Sequence, residues 1–213
     1  VNYAYRGDKL GLSLGVYGNG VDNEGKVNNY VNYNTAGRVW YSAVNTDETA
    51  VMLGLNSMFQ SMKDNQEDPL TPSYSYSAYA VNKQFNIGVE LFLQYKSVYL
   101  AAEYLNASFE FENAPSSKYV TTDALSAELV WNVTGEKTYY DAQYGVYGGV
   151  TVANPVSEGG LGALQLVARY SYADNQDNYL LGTEDYTLGI NWLPEDNVKV
   201  LLGYSKVTDK DFA

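Results

Sequence analysis

Residues 87–105 read I-G-V-E-L-F-L-Q-Y-K-S-V-Y-L-A-A-E-Y-L, and their period of two decides the fold. Ile87, Val89, Leu91, Leu93 and Tyr95 alternate with Gly88, Glu90, Phe92 and Gln94. After Lys96 and Ser97, Val98, Leu100, Ala102 and Tyr104 alternate with Tyr99, Ala101, Glu103 and Leu105. A strand sends successive side chains to opposite faces, so each half is a strand with one apolar and one mixed face. The two residues between them make a tight hairpin turn.

The same pattern extends in both directions. Leu10, Leu12, Leu14 and Val16 alternate with Gly11, Ser13, Gly15 and Tyr17, which predicts a strand over 9–17. Further strands are predicted at 1–6, 37–44, 50–59, 122–133, 161–173, 185–193 and 198–207, ten in all. Most approach the roughly 9–11 residues that a tilted membrane strand needs.

Connection lengths carry the second signal. The segments at 7–8, 45–49, 96–97 and 194–197 are short turns, whereas 18–35, 60–84, 112–121 and 174–184 are long and polar. Short and long alternate, as they do in outer-membrane barrels with short periplasmic turns and long external loops. The segment 134–160 falls on the short-turn side by strand direction yet is long. It is expected to fold over or into the periplasmic mouth, with 144–152 adding a short strand.

A soluble antiparallel sandwich also alternates, because its strands have a core face and a wet face. Two features favour the membrane. The loops segregate by side, and aromatic residues (Tyr17, Tyr95, Trp131, Tyr172, Tyr186, Trp192, Tyr204) sit near strand ends, where an interfacial girdle would lie. The whole of 1–213 is thus expected to be one antiparallel transmembrane β-barrel domain. By strand direction both chain ends point outward, so the barrel is expected to be incomplete at each end.

Composition excludes several classes of function. The 213 residues contain no cysteine and no histidine. That removes disulfide frameworks, Cys or His metal sites, Cys nucleophiles and every His-based triad. A net charge of −12 argues against nucleic acid as a partner, since phosphate binding needs clustered Lys and Arg. No catalytic residue, metal or cofactor is expected, and the chain is read as a channel and not an enzyme. The slightly negative mean hydropathy carries little weight, because lipid-facing and lumen-facing residues cancel within any window of a barrel strand.

W-N-V-T-G-E-K-T-Y-Y at 131–140, G-A-L-Q-L-V-A-R-Y-S at 162–171, Y-T-L-G-I-N-W-L-P-E-D-N-V-K-V at 186–200 and the hairpin at 89–104 together resemble the phosphate-selective porin O/P family. The resemblance implies a 16-stranded outer-membrane barrel of a Gram-negative bacterium, assembled as a homotrimer, of which this chain is the C-terminal two thirds. It implies passive diffusion of small hydrophilic solutes and ions, including phosphate or other anions. Lipid and lipopolysaccharide are the surroundings it implies. The family's pore cations lie chiefly on the N-terminal part, and this chain's 25 acidic against 13 basic residues fit a general or cation-preferring pore at least as well.

Alternation places Arg38, Glu90, Gln94, Glu103, Glu128, Gln165, Arg169, Asn191 and Lys199 opposite the aliphatic stripe. In a barrel that face is the lumen, where rings of charge set ion preference. The structural alternative is a brace in which Arg38, Glu103, Glu128 and Arg169 pair across strands. Asp64, Glu67 and Asp68 beside Lys63 form a loop cluster able to meet divalent cations, although such clusters are usually solvated. A structural or partner-binding barrel with little conductance is the alternative function.

Overall fold

The computed structural model describes residues 1–18, 33–61, 81–111, 119–175 and 182–210. They form β1 (Asn2–Arg6), β2 (Leu10–Gly18), β3 (Tyr33–Asn45), β4 (Thr49–Ser61), β5 (Val81–Tyr95), β6 (Val98–Phe111), β7 (Tyr119–Asn132), β8 (Thr138–Asp141), β9 (Val146–Val150), β10 (Ala163–Asn175), β11 (Gly182–Glu195) and β12 (Val198–Lys210). Ten of these make one antiparallel sheet in the order β1-β2-β3-β4-β5-β6-β7-β10-β11-β12, with β1 and β12 at its edges. β8 and β9 pair only with each other.

All ten predicted strands are present, and the long ones outrun their sequence patterns. Residues 33–36, 81–86 and 106–111 belong to β3, β5 and β6. The period-two reading stops where aliphatic residues stop, but a ladder is made by backbone groups and runs on through polar pairs such as Asn34 with Gln60 and Gln60 with Gln84. At the opposite end the chain turns sharply. Lys96 takes φ 52° in the two-residue β5–β6 turn, a left-handed conformation that such hairpin turns demand and that a non-glycine residue adopts at a cost. Register shifts between Ser42 and Val44 and between Trp192 and Glu195 mark bulges near this end. The second contains Pro194, which has no N–H to give a ladder.

Register sorts the side chains into two faces. One runs through Leu12, Val39, Leu55, Val89, Tyr104 and Leu125, and on to Tyr172 of β10. This aliphatic face is open: Leu53, Leu55, Ile87, Val89, Leu188 and Ile190 are between 45% and 64% exposed. A sandwich buries its aliphatic face, so the soluble alternative fails on this point, and a contiguous apolar surface of this extent needs an apolar surrounding. The opposite face is the one that buries a core, with Trp40, Met52, Phe92, Tyr99, Ala101 and Val130 packed against Tyr140 and Ala142. Tyr17 lies on this second face, with Asn34 opposite it. It therefore does not belong with the aromatic residues of the aliphatic face.

Candidate pore lining and constriction

The segment between β7 and β10 lies on the mixed face. It contains β8, β9 and a short 3-10 turn at Val156–Glu158. β9 corresponds to the short strand expected within 144–152, but it forms its own hairpin with β8 and does not extend the sheet. At the bend, Asp141 Oδ1 accepts the N–H groups of Gln143 at 2.9 Å and Tyr144 at 3.2 Å, a local turn that Asp favours. Gly145 follows with φ 58°, and the Trp40 ring lies where a Cβ would stand, 2.5 Å from that position. Glycine is required here for both reasons.

Rings hold the hairpin down. Phe92 of β5 stacks on Tyr140 (centroids 5.2 Å apart) and on Tyr147 (4.6 Å), and Tyr99 of β6 tilts against both Phe92 and Tyr147. Such pairs add to the burial of the rings. On the far side of the same segment, Val150 and Val152 pack with Ala163 and Leu193.

Donors from the sheet then meet the carbonyls of the segment. Trp40 Nε1 donates to Ala142 O at 3.0 Å, Gln94 Nε2 to Thr138 O at 3.1 Å, and Asn132 Nδ2 to Glu136 O at 2.8 Å. Arg38 donates to Gly145 O at 2.7 Å and Tyr144 O at 3.2 Å. The segment is thereby fixed at both ends and along its length, since buried polar backbone is satisfied by the wall itself.

The predicted lining residues all lie on this face, but they divide into two groups. Arg38 is consumed: its guanidinium forks onto Glu90 (Nε to Oε1 3.0 Å, Nη2 to Oε2 2.5 Å) while holding the hairpin. Glu90 also accepts from Asn56 at 2.8 Å. Gln94 is occupied by carbonyls. Asn191 donates to Gln165, which donates to Asn132, a chain of amides running from β11 to the base of the hairpin. Glu128 accepts the Tyr99 hydroxyl at 2.8 Å.

The second group, which Glu128 joins despite its bond from Tyr99, stays outside ion pairs. Among the described residues no ion pair forms to Glu103, Glu128, Arg169 or Lys199. The brace expected from Arg38, Glu103, Glu128 and Arg169 is thus replaced by Arg38–Glu90–Asn56. Arg169 and Glu128 are register partners across β10 and β7, yet Arg169 Nε reaches Ser126 Oγ at 3.3 Å instead. The loop cluster at 63–68 lies outside the described residues.

Two open spaces border the hairpin. One, of about 230 Å³, lies beside Tyr147 against Glu90, Glu103, Glu128 and Arg169. The larger, of about 680 Å³, lies between Tyr147, Gly148 and Gly149 on one side and Gln165, Arg169, Thr187, Asn191 and Lys199 on the other. Burial pushes the Tyr147 phenol above its ordinary pKa, and the carboxylates of Glu128, Glu103 and Glu90 add to the shift. It therefore stays neutral beside them.

Sequence reasoning assigned 134–160 to the mouth without finding what it packs on. A signal was present: Trp40, Phe92 and Tyr99 are large apolar residues on the otherwise mixed face, and Y-Y-D-A-Q-Y-G-V-Y-G-G at 139–149 supplies matching rings. A family model described as phosphate-selective porin O and P matches residues 1–213. A comparison with curated proteins finds no match.

Proposed function

The chain belongs to the phosphate-selective porin O and P family, and on that footing we propose that its mixed face lines a water-filled channel through which small hydrophilic solutes and ions diffuse across a bacterial outer membrane. The observation that carries this reading is the reversal of burial: the aliphatic face is open, and the mixed face carries the charged groups Glu103, Glu128, Arg169 and Lys199 beside the hairpin. In a bilayer the first faces hydrocarbon and the second faces water. The β8–β9 hairpin narrows the half of the lumen next to β3–β7, and solutes pass along the β10–β12 wall.

That wall supports a mixed ion preference. Arg169 and Lys199 favour anions, phosphate among them, while Glu103 and Glu128, beside Arg169 in the smaller space, favour cations. Arg38 contributes nothing to selectivity in this reading, because Glu90 neutralises it. Assembly as a homotrimer within lipid and lipopolysaccharide follows the family resemblance.

Single-channel recording of the intact protein in a planar bilayer tests the proposal. Stable ohmic steps, grouped in threes, are expected. Under a salt gradient, Arg169→Glu and Lys199→Glu are expected to move the reversal potential toward cations, and Glu128→Gln toward anions. Folded protein without conductance would leave a structural or partner-binding barrel as the better reading.

A further inference from the structure

β9 contains two adjacent glycines, Gly148 and Gly149, in a five-residue strand. Glycine is a poor strand residue, since it loses the most backbone freedom and offers no side chain to pack. Elsewhere in this segment its presence has a cause: Gly145 needs both a positive φ and room for Trp40. Neither cause applies to the pair. Gly148 and Gly149 do not take positive φ, and a Cβ added at either one meets nothing within 4 Å. What they border is the cavity of about 680 Å³, with Arg169, Lys199, Gln165 and Asn191 across it.

The hairpin cannot withdraw from that cavity. Directly before the pair, Tyr147 is stacked on Phe92, and directly after it Val150 is buried against Val152, Ala163 and Leu193. A Cβ at 148 or 149 meets no wall atom within 4 Å, and both positions border the cavity, so a large side chain there has open space to enter and no packed site to fill.

We propose that Gly148 and Gly149 are the size-determining edge of the passage, kept free of side chains so that solutes clear the β10–β12 wall. The inference rests on the channel reading above. It predicts which positions of the hairpin limit solute size, and it separates width, set by the glycine pair, from charge preference, set by the facing residues.

The test uses the intact protein in planar bilayers, and in liposomes swelling in neutral sugars of increasing size. Gly148→Trp and Gly149→Trp are expected to lower conductance about two-fold or more and to exclude sugars that the original protein admits. Leu161→Trp, on the same segment but 83% exposed and outside the cavity, is expected to change neither. Where an indole prevents folding, Gly149→Cys folded first and then modified with thiol reagents of increasing size gives the same readout, because the chain has no other cysteine. Stepwise block with reagent size supports the proposal; unchanged conductance after complete modification overturns it. Unchanged conductance in both folded Trp variants overturns it too, while leaving the channel reading intact. An unsubstituted protein that does not conduct defeats the channel reading itself, and the size-determining edge with it.

Discussion

Arg38 joins three things with one side chain: the Glu90 carboxylate on β5, the Tyr144 and Gly145 carbonyls of the hairpin, and the Trp40 ring, whose centroid lies 5.2 Å from its Cζ. The planar fork of a guanidinium suits this role and a lysine ammonium does not. Arg38→Ala leaves Glu90 half-buried without its cation and two carbonyls without donors. A loss of about 2–4 kcal/mol is expected, discounted from the fully buried case because the pair is partly solvated. Urea unfolding in lipid measures it, and Arg38→Lys should recover less than half. A double-mutant cycle with Glu90→Ala should give a coupling above about 1 kcal/mol; strict additivity would mean that the fork does not fix the hairpin. Alternation in the sequence was enough to put Arg38 and Glu90 on one face. Their pairing was not legible, because it depends on β3 and β5 flanking β4, so that side chains two strands apart meet over Gly54. The Cβ that Gly54 lacks would stand 3.0 Å from Glu90 Oε2.

At the scale of the element, the β8–β9 hairpin is a built part of the wall. Phe92→Ala removes the ring on which Tyr140 and Tyr147 both stack. A cost of about 3–4 kcal/mol is expected, together with noisier and larger conductance as the hairpin loosens. Protease cleavage within 139–149 would report the same loosening, and a variant as resistant as the original would contradict it. The pKa shifts add a direction. Burial raises Tyr140 and Tyr147, so the docked state binds their protons more tightly than the unfolded chain. Their contribution is complete below a tyrosine's ordinary pKa of about 10 and is lost as pH rises through the higher folded value. With no histidine in the chain, docking is expected to hold from pH 6 to 9 and weaken only above 10. Loosening between pH 6 and 8 would show that another group governs it. The strands themselves were readable from aliphatic alternation. Their outer ends were not, since polar pairs such as Gln60 with Gln84 look like loop in a sequence and are held by backbone bonds.

For the whole molecule, the two faces of one sheet carry the account. Strict alternation cannot say which face meets water, since a sandwich and a membrane barrel share it. Burial and the family match decide between them. On the channel reading, the mixed face is wet and the aliphatic face meets lipid. Because the chain has no cysteine, single cysteines along β10 test it directly: Arg169, Ser171 and Ala173 on one face, Leu166, Ala168 and Tyr170 on the other. Each variant is placed in a bilayer and treated with a membrane-impermeant thiol reagent. Reaction at 169, 171 and 173, with protection at 166, 168 and 170, is the result predicted. Equal reaction on both faces, or protection of the mixed face alone, would contradict a lumen-lining wall.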